Sequence, residues 1–280
     1  MAEPNIIWLA SYTKSGNTWF RAFLSAFFND GQVNLCNLNH GKLWYSNKRL
    51  PELYLDTCLD DLHIDEIQPL RKLAYSELNK SLKEPLFVKI HDAFNSSFES
   101  QNPIIPEVSS RHIIYIVRNP LDVALSFANH KAVSYEKIAR QFINNEKGYL
   151  SKKNNSSHEI YQFMGSWTQH VEGWLNQKKI PVHLVKYEDM KNKPYETFPF
   201  ALKTLGIPYN TAKIEKAITA CSFENLKQQE EKFGFFEKPS SNKVFFNKGE
   251  TGRGLKEIPP HLVNEIINKN KKMMARLGYL

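Results

Sequence analysis

The sequence predicts an open α/β fold, a single domain with a central parallel sheet flanked by helices and a P-loop-like nucleotide-binding core. Three observations carry that expectation. Short apolar runs recur at residues 6–10, 86–90, 112–117 and 182–185, continuous enough for strands buried on both faces. Helical patterns separate them, which favours parallel strands joined by right-handed crossovers. The first run also opens directly into Lys14-Ser15-Gly16-Asn17-Thr18, a turn leading into an amphipathic helix.

Taken in order, Ile6–Ala10 is the first strand and Thr18–Phe28 the first helix. A helix beginning near Asn17 turns unpaired amide N–H groups and the positive end of its dipole toward an anion. Gly16 lets the backbone approach closely, and Lys14 adds a full charge. The turn is therefore a candidate phosphate cradle. It is not the nucleotide triphosphatase loop, because Gly-x-x-x-x-Gly-Lys-Ser/Thr is absent and the lysine precedes the glycine. Asn29–Pro51, rich in Asn, Gly and Lys, reads as an irregular surface excursion. Ile64–Leu78 is the next helix, followed by the strand Leu86–Ile90, where alternation puts Lys89 and His91 on one side. Asp92 is a candidate to orient that histidine.

The strand His112–Val117 ends at Arg118. Asn119 is a good N-cap, Pro120 suits the first helical position, and Asp122 sits where a capping carboxylate belongs. Helices Leu121–His130, Tyr135–Asn145 and Ile160–Gln177 lead to the strand Val182–Val185, and Tyr195–Leu205, Thr211–Ala220 and His261–Arg276 complete the set. Residues 238–256 form a loop of glycine, polar and basic residues. Ligands of such sheets bind beyond the carboxyl ends of the strands, which is where Lys14, Lys89, His91 and Arg118 fall.

A chain of 280 residues with 41% hydrophobic content buries one sizeable core, so one domain over 1–280 is expected. Cys36, Cys58 and Cys221 are odd in number and lack paired spacing, which argues against a disulfide framework or a zinc site and for a reducing compartment. The first strand starts too early for a signal peptide, and no apolar run approaches the roughly 18 residues of a membrane span. A soluble cytoplasmic protein is expected. The net charge of +8 suits nucleic acid, a membrane surface or a polyanionic ligand. Lys147, Lys152 and Lys153 sit in an Asn- and Ser-rich loop that reads as solvated. Arginines interleaved with aromatics, the mark of single-stranded nucleic-acid binding, are not evident. Nor is a metal-ligand spacing such as His-Glu-x-x-His, so no metal is expected.

Tyr12-Thr13-Lys14-Ser15-Gly16-Asn17-Thr18-Trp19 resembles the opening Tyr-Pro-Lys-Ser-Gly-Thr-Thr-Trp of the sulfotransferases that use 3′-phosphoadenosine 5′-phosphosulfate (PAPS). Thr13 and Asn17 depart from it without removing the lysine or a backbone donor. Four further segments follow in the family's order. Lys89-Ile90-His91 resembles its Lys-Thr-His, whose histidine is the general base on the acceptor hydroxyl. Arg118 with Ser126 eight residues on resembles its 3′-phosphate site, and Cys221-Ser222-Phe223 its Thr-Ser-Phe stretch. Asn247-Lys248-Gly249-Glu250-Thr251-Gly252-Arg253 resembles Arg-Lys-Gly-x-x-Gly-x-Trp, with Asn247 replacing arginine and Leu255 in the region of the tryptophan.

The resemblance implies roles. Lys14, with Ser15, Gly16, Asn17 and Thr18, would hold the 5′-phosphate, and Lys89 the transferring sulfuryl oxygens. His91 would take the acceptor proton, and Ser126 would restrain Lys14. Trp19, Tyr187 and Phe223 would hold adenine. Arg118, Ser126, Asn247, Lys248 and Gly249 would hold the 3′-phosphate; by its charge alone, and not by the resemblance, Arg253 is the candidate to replace the missing arginine. The implied activity is transfer of a sulfuryl group from PAPS to a hydroxyl, or second an amine, of a small-molecule or natural-product acceptor, leaving adenosine 3′,5′-bisphosphate (PAP). The alternatives are a P-loop-type nucleotide kinase, disfavoured by the missing lysine after the glycine and by aromatics suited to an adenosine with a 3′-phosphate, and a nonenzymatic nucleotide- or nucleic-acid-binding module, which leaves Lys89 and His91 idle. Residues 127–135, 29–51 and 233–236 are candidate acceptor walls. Neither the acceptor nor the oligomeric state is legible in the sequence.

Overall fold

The computed structural model describes residues 3–38, 43–95, 102–150, 159–238 and 244–280. Strands β1 (Ile6–Ser11), β2 (Leu43–Trp44), β3 (Leu86–Ile90), β4 (Ser110–Val117) and β5 (Val182–Lys186) form one parallel sheet in the order β2-β3-β1-β4-β5. The expected class is observed, with β2 as an addition. It lies inside the excursion at 29–51 and pairs with Val88 and Lys89, and two residues are too few to show a period. The helices in chain order are α1 (Asn17–Phe28), α2 (Arg49–Leu55), α3 (Ile64–Ser81), α4 (Pro120–Lys131), α5 (Tyr135–Ile138), α6 (Trp167–Asn176), α7 (Tyr187–Asn192), α8 (Pro194–Thr204), α9 (Thr211–Ala220), α10 (Phe223–Phe233), α11 (Gly254–Glu257) and α12 (Pro260–Arg276).

Alternation along β1 divides the core. Ile6, Trp8 and Ala10 pack with side chains of α3, α4, α6 and α12, whereas Ile7 and Leu9 pack with α1, α8, α9 and α10. Both faces of the strand are fully buried, as its continuous apolar run requires. From β1 the chain runs out to β3 and β2 on one side and to β4 and β5 on the other, so the crossover direction reverses at the carboxyl end of β1.

The short helices α2, α7 and α11 are additions to the expected set, and three other helices differ from expectation for local reasons. The helix expected over 160–177 begins only at Trp167, because Gly165 takes φ 61 and Ser166 accepts from the Gln169 amide in a capping box. Residues before it are tied in extended form, with Ile160 N donating to Ser46 O at 2.6 Å and Leu150 N to Gln162 O at 2.9 Å. The helix expected over 135–145 is α-helical through Ile138 and continues as a wider turn over Ala139–Ile143. Helix α10 was not anticipated, although Ser222 caps it by accepting from Asn225 N at 3.3 Å. Lys152 and Lys153 of the basic cluster lie outside the described residues, as do 39–42 of the excursion and 239–243 of the late loop. Among the described residues no helix is long and apolar enough to cross a membrane.

Asp92 does not orient His91. Neighbouring side chains on a strand diverge, and Asp92 instead meets Arg71 of α3 at 3.1 Å, with the Arg71 side chain fully buried and that of Asp92 2% exposed. Arg71 also donates to Tyr45 O at 2.9 Å and lies over the Tyr45 ring. The pair clamps β3 and the segment after β2 onto α3. Asp92→Ala leaves the guanidinium buried and unpaired, so urea denaturation should show a loss of about 3–5 kcal/mol in unfolding free energy.

Candidate functional site

The carboxyl ends of all five strands open on one cavity of about 650 Å³. Lys14, Gly16, Asn17, Thr18 and Trp19 line it after β1, and Lys89 and His91 at the end of β3. Arg118 and Ser126 line it from β4 and α4, Tyr187 from the end of β5, Phe223 from α10, and Asn247, Lys248, Gly249 and Arg253 from the late loop. Ser15 is fully buried and stands off the wall. Sequence segments more than two hundred residues apart therefore meet in one volume.

The cradle is built by two left-handed residues, Lys14 at φ 63 and Gly16 at φ 103. Only glycine suits the second, because a Cβ there would stand 2.6 Å from the Tyr187 ring. Helix α1 starts at Asn17 with no acidic side chain in its first turn to compete for an anion. Asn17 Nδ2 donates to Leu9 O at 2.8 Å and Ser11 Oγ at 3.2 Å, tying the cradle back to its strand. Lys14 Nζ stands 3.2 Å from His130 Nδ1 and 4.1 Å from the centre of the Phe245 ring. Ser126, one turn earlier on α4, lines the cavity but makes no hydrogen bond to Lys14, so in this state it is His130 against which the lysine rests. Burial, with Lys89 and Arg118 adding repulsion, lowers the Lys14 ammonium to about 7.

Arg118 donates to Glu250 O at 2.9 Å and Lys14 O at 3.4 Å and lies 4.1 Å from the Tyr187 ring centre. Its Nε is buried with no partner. Among the described residues neither Lys14 nor Arg118 forms an ion pair with a carboxylate. Two unpaired cations and an orphaned N–H on one wall fit a ligand with two phosphate groups.

The aromatic wall is held by main-chain contacts. Trp19 Nε1 donates to Cys221 O at 2.8 Å, a bond that is indifferent to the cysteine side chain, and its ring meets Tyr187 edge-on with centroids 5.5 Å apart. Gly249, at φ 59, lies so close to Phe223 that a Cβ would stand 2.4 Å from the ring.

Asn119 caps α4 by accepting from Leu121 N at 3.0 Å, whereas the Asp122 carboxylate does not cap that helix. It accepts from Gly252 N and Gly254 N, each at 2.7 Å, and so fastens the late loop to α4. Gly254 sits where a Cβ would stand 2.3 Å from the Leu121 carbonyl carbon. Leu255 is 62% exposed and takes no part in the wall. Arg253 reaches the cavity, but its guanidinium is paired with Glu257 at 2.7 Å and Glu250 at 3.4 Å. Its charge is thus already engaged.

At the other end, His91 Nδ1 lies 2.8 Å from Ser11 O. A carbonyl only accepts, so Nδ1 carries the proton and Nε2 keeps its lone pair. Burial, then the charge of Lys89, lowers the imidazole to about 3. The His91 carbonyl meets His170 Nε2 at 3.0 Å, and Trp174 Nε1 donates to Asp92 O at 3.1 Å, which fixes the backbone behind the ring. Lys89 Nζ lies 3.0 Å from Glu237 and 4.3 Å from the centre of the Trp44 ring. Of the candidate acceptor walls, 29–51 contributes Trp44 and Ser46, and 127–135 contributes Phe127, His130 and Lys131. Residues 233–236 stand behind the wall, where Phe236 stacks on Trp44 at 6.2 Å.

The model of the sulfotransferase domain family matches residues 4–278. The chain belongs to this family. Among relatives of the sulfotransferase domain, flavonol 3-sulfotransferase of Flaveria bidentis is 27% identical over 99% of this chain and 83% of its own length. Sulfotransferase 1B1 of Canis lupus familiaris is 25% identical over 81% and 67%. Two solved structures share the fold: retinol dehydratase in complex with androsterone and the inactive cofactor PAP (TM-score 0.60, 17% identity, 98% of this chain and 82% of that one), and a mouse sulfotransferase complexed with PAP (TM-score 0.60, 20% identity, 98% and 86%).

Four further residues stand in the cavity wall, two of them inside segments named only as candidate acceptor walls and two not singled out from the sequence. Trp44 lies in 29–51 and His130 in 127–135, one helical turn beyond Ser126, while Glu237 immediately precedes the loop read for its glycines and Phe245 lies within it. The i, i+4 relation of Ser126 and His130 was the available signal for one of them; the others meet the cavity through tertiary folding alone. His91 and His170, both lowered by burial to about 3 and 4, fold as neutral imidazoles. The unfolded chain binds protons on both near pH 6.5, so stability should fall as pH drops below about 6.5. ¹⁵N NMR should show His91 as the Nδ1–H tautomer, with no titration between pH 5 and 9; a midpoint near 6.5 would contradict the geometry.

Proposed function

We propose that the chain transfers a sulfuryl group from PAPS to a hydroxyl, or secondarily an amine, of a small organic acceptor and releases PAP. The observation that carries this reading is the pairing, in one cavity, of two cations that lack carboxylate partners among the described residues, Lys14 and Arg118, with a neutral histidine whose Nε2 is free of its proton. The names of relatives, a flavonol sulfotransferase and a retinol dehydratase among them, support a small-molecule acceptor.

The donor supplies an activated sulfate, and the protein supplies placement and charge. Lys14 and the first turn of α1 hold the 5′-phosphate, while Arg118 and Lys248 hold the 3′-phosphate between the cradle and the late loop. Trp19, Tyr187 and Phe223 receive the base, with stacking worth about 1–3 kcal/mol. Lys89 faces the sulfuryl oxygens. The bond from sulfur to the 5′-phosphate oxygen breaks as a bond from the acceptor oxygen to sulfur forms, and the acceptor proton passes to His91 Nε2. Positioning and electrostatic stabilisation carry such a transfer, and a general base adds about 10²–10⁴ in rate. An imidazole near 3 is a weak base; burial is the larger cause and the charge of Lys89 the second. Anionic donor beside Lys89 offsets that charge and raises the basicity of His91 when it is needed.

PAP should raise the melting temperature where ATP and duplex DNA do so weakly, and a preference for ATP or DNA would overturn the reading. At pH 8 the free protein holds Lys14 largely neutral, whereas phosphate favours its charged form. Calorimetry in buffers of differing ionisation enthalpy should therefore show proton uptake on PAP binding. His91→Ala should bind PAP normally and lose about 10²-fold or more in turnover. Arg118→Ala should weaken PAP by about tenfold or more, the value of charge-assisted bonds to phosphate, and Arg253→Ala much less because that guanidinium is already paired.

A further inference from the structure

One buried carboxylate meets Lys89 directly. Glu237, in the segment after α10, lies 3.0 Å from Lys89 Nζ and 2.7 Å from Arg21 Nη1. The side chains of Arg21, Glu237 and Lys89 are 0%, 5% and 12% exposed, so solvent does little to screen the contact, unlike a surface ion pair. Arg21 comes from α1, Lys89 from β3, and Glu237 from the stretch that leads into the late glycine loop. The Nε and Nη2 atoms of Arg21 are buried without partners, so its guanidinium is held at this site by Glu237.

We propose that Glu237, anchored by Arg21, is a positioning residue that holds the Lys89 ammonium on the cavity wall for the transferring sulfuryl group. The inference rests on the sulfotransfer reading above. An ammonium has three donors; Glu237 engages one, and the Trp44 ring covers another side of the nitrogen. The same contact governs charge. Burial lowers the pKa of Lys89, Arg21 adds to the effect, and Glu237 opposes it. Glu159, Lys14, His91 and His130 are the other titratable groups whose charges couple to Lys89. Burial would raise the Glu237 carboxyl, but Lys89 and Arg21 outweigh it and hold the group at about 2, so it stays ionised wherever the protein is folded near neutrality. Its removal would leave Lys89 buried beside an arginine with its nearest counter-charge gone.

The test compares full-length wild type, Glu237→Gln and the double variant Arg21→Met/Glu237→Gln, which removes both buried charges in case a lone unpaired arginine prevents folding. Lys89 is followed by ¹³Cε NMR through a pH titration, with Lys89→Arg used to assign its signal. In Glu237→Gln the midpoint should fall by about one unit or more. The double variant, which also loses the repulsion of Arg21, should show a smaller fall. A midpoint unmoved or raised in Glu237→Gln, or in the double variant should the single one not fold, overturns the proposal. Above the shifted midpoint, PAPS should lose about tenfold in affinity and PAP less than about twofold, because one unit of pKa is a factor of ten and only PAPS carries the sulfuryl group. Equal losses for the two nucleotides would mean a general structural role and also overturn it. Should wild type bind neither nucleotide, the sulfotransfer reading fails, while the Lys89 titration still decides whether Glu237 holds its charge.

Discussion

The rest of the structure depends on one electrostatic constraint, the gathering of Lys14, Lys89 and Arg118 around a single desolvated cavity. Like charges in such a place repel strongly and would rather lose protons than share it. Burial first, and then the charges of Lys89 and Arg118, lower Lys14 to about 7. The parallel sheet enforces the meeting regardless, because each strand ends on the same edge and delivers one residue: Lys14 after β1, Lys89 on β3, Arg118 after β4. Arginine stays charged in any such setting, whereas a buried lysine is free to titrate. The positions that follow β1 and lie on β3 are thus sensitive to what else enters the cavity, and Arg118 is not.

Three buried or half-buried carboxylates organise the wall around those cations without neutralising all of them. Asp122 takes two amides of the late loop and fastens Gly252 and Gly254 to α4. Glu230 accepts from Phe245 N at 2.6 Å and Phe246 N at 2.8 Å, fixing the other arm of the same loop. Glu237 goes to Arg21 and Lys89. Asp122 therefore spends its charge on backbone amides, and Glu230 divides its charge between two amides and Lys238 at 3.5 Å; a carboxylate is firmly held by such hydrogen bonds. The consequence is a loop with degraded motif residues that still reaches the cavity, carrying Lys248 and Gly249 to the side where Arg118 stands.

Much of this was legible in the sequence because the fold and the site share their signals. A buried strand running into Lys14-Ser15-Gly16-Asn17 reads at once as the first element of a parallel sheet and as an anion site at a helix start, and the structure shows the strand and a helix start that lines the cavity. Lys89 and His91 follow from alternation on one strand, and Arg118 from the cap at Asn119. What stayed hidden depends on contacts remote in sequence. Arg21, Lys89 and Glu237 span more than two hundred residues, and nothing near position 237 distinguishes an acid that enters a cavity from one that faces water. Asp122 was legible as an acid near a helix start but not as an acceptor for amides 130 residues away. The long helix expected from residue 160 shows the limit of periodicity, since the apolar spacing of Ile160 to Met164 suits a helix while Gly165 and Ser166 end that possibility.

The partition of charge also explains why the cavity has two ends of different character. At the end of Lys14 and Arg118 the positive charge has no ion-paired carboxylate among the described residues and rests on a neutral imidazole, aromatic faces and carbonyl oxygens. At the end of Lys89 and His91 it is compensated in advance by Glu237, and the histidine is held neutral with one proton committed to Ser11. An anion gains most where no carboxylate competes for the cation, so strong attraction is concentrated on the side with the helix start. A group that reacts rather than binds is served differently. In the proposed transfer that group would meet a cation fixed in place by one carboxylate and an imidazole whose Nε2 is without a proton.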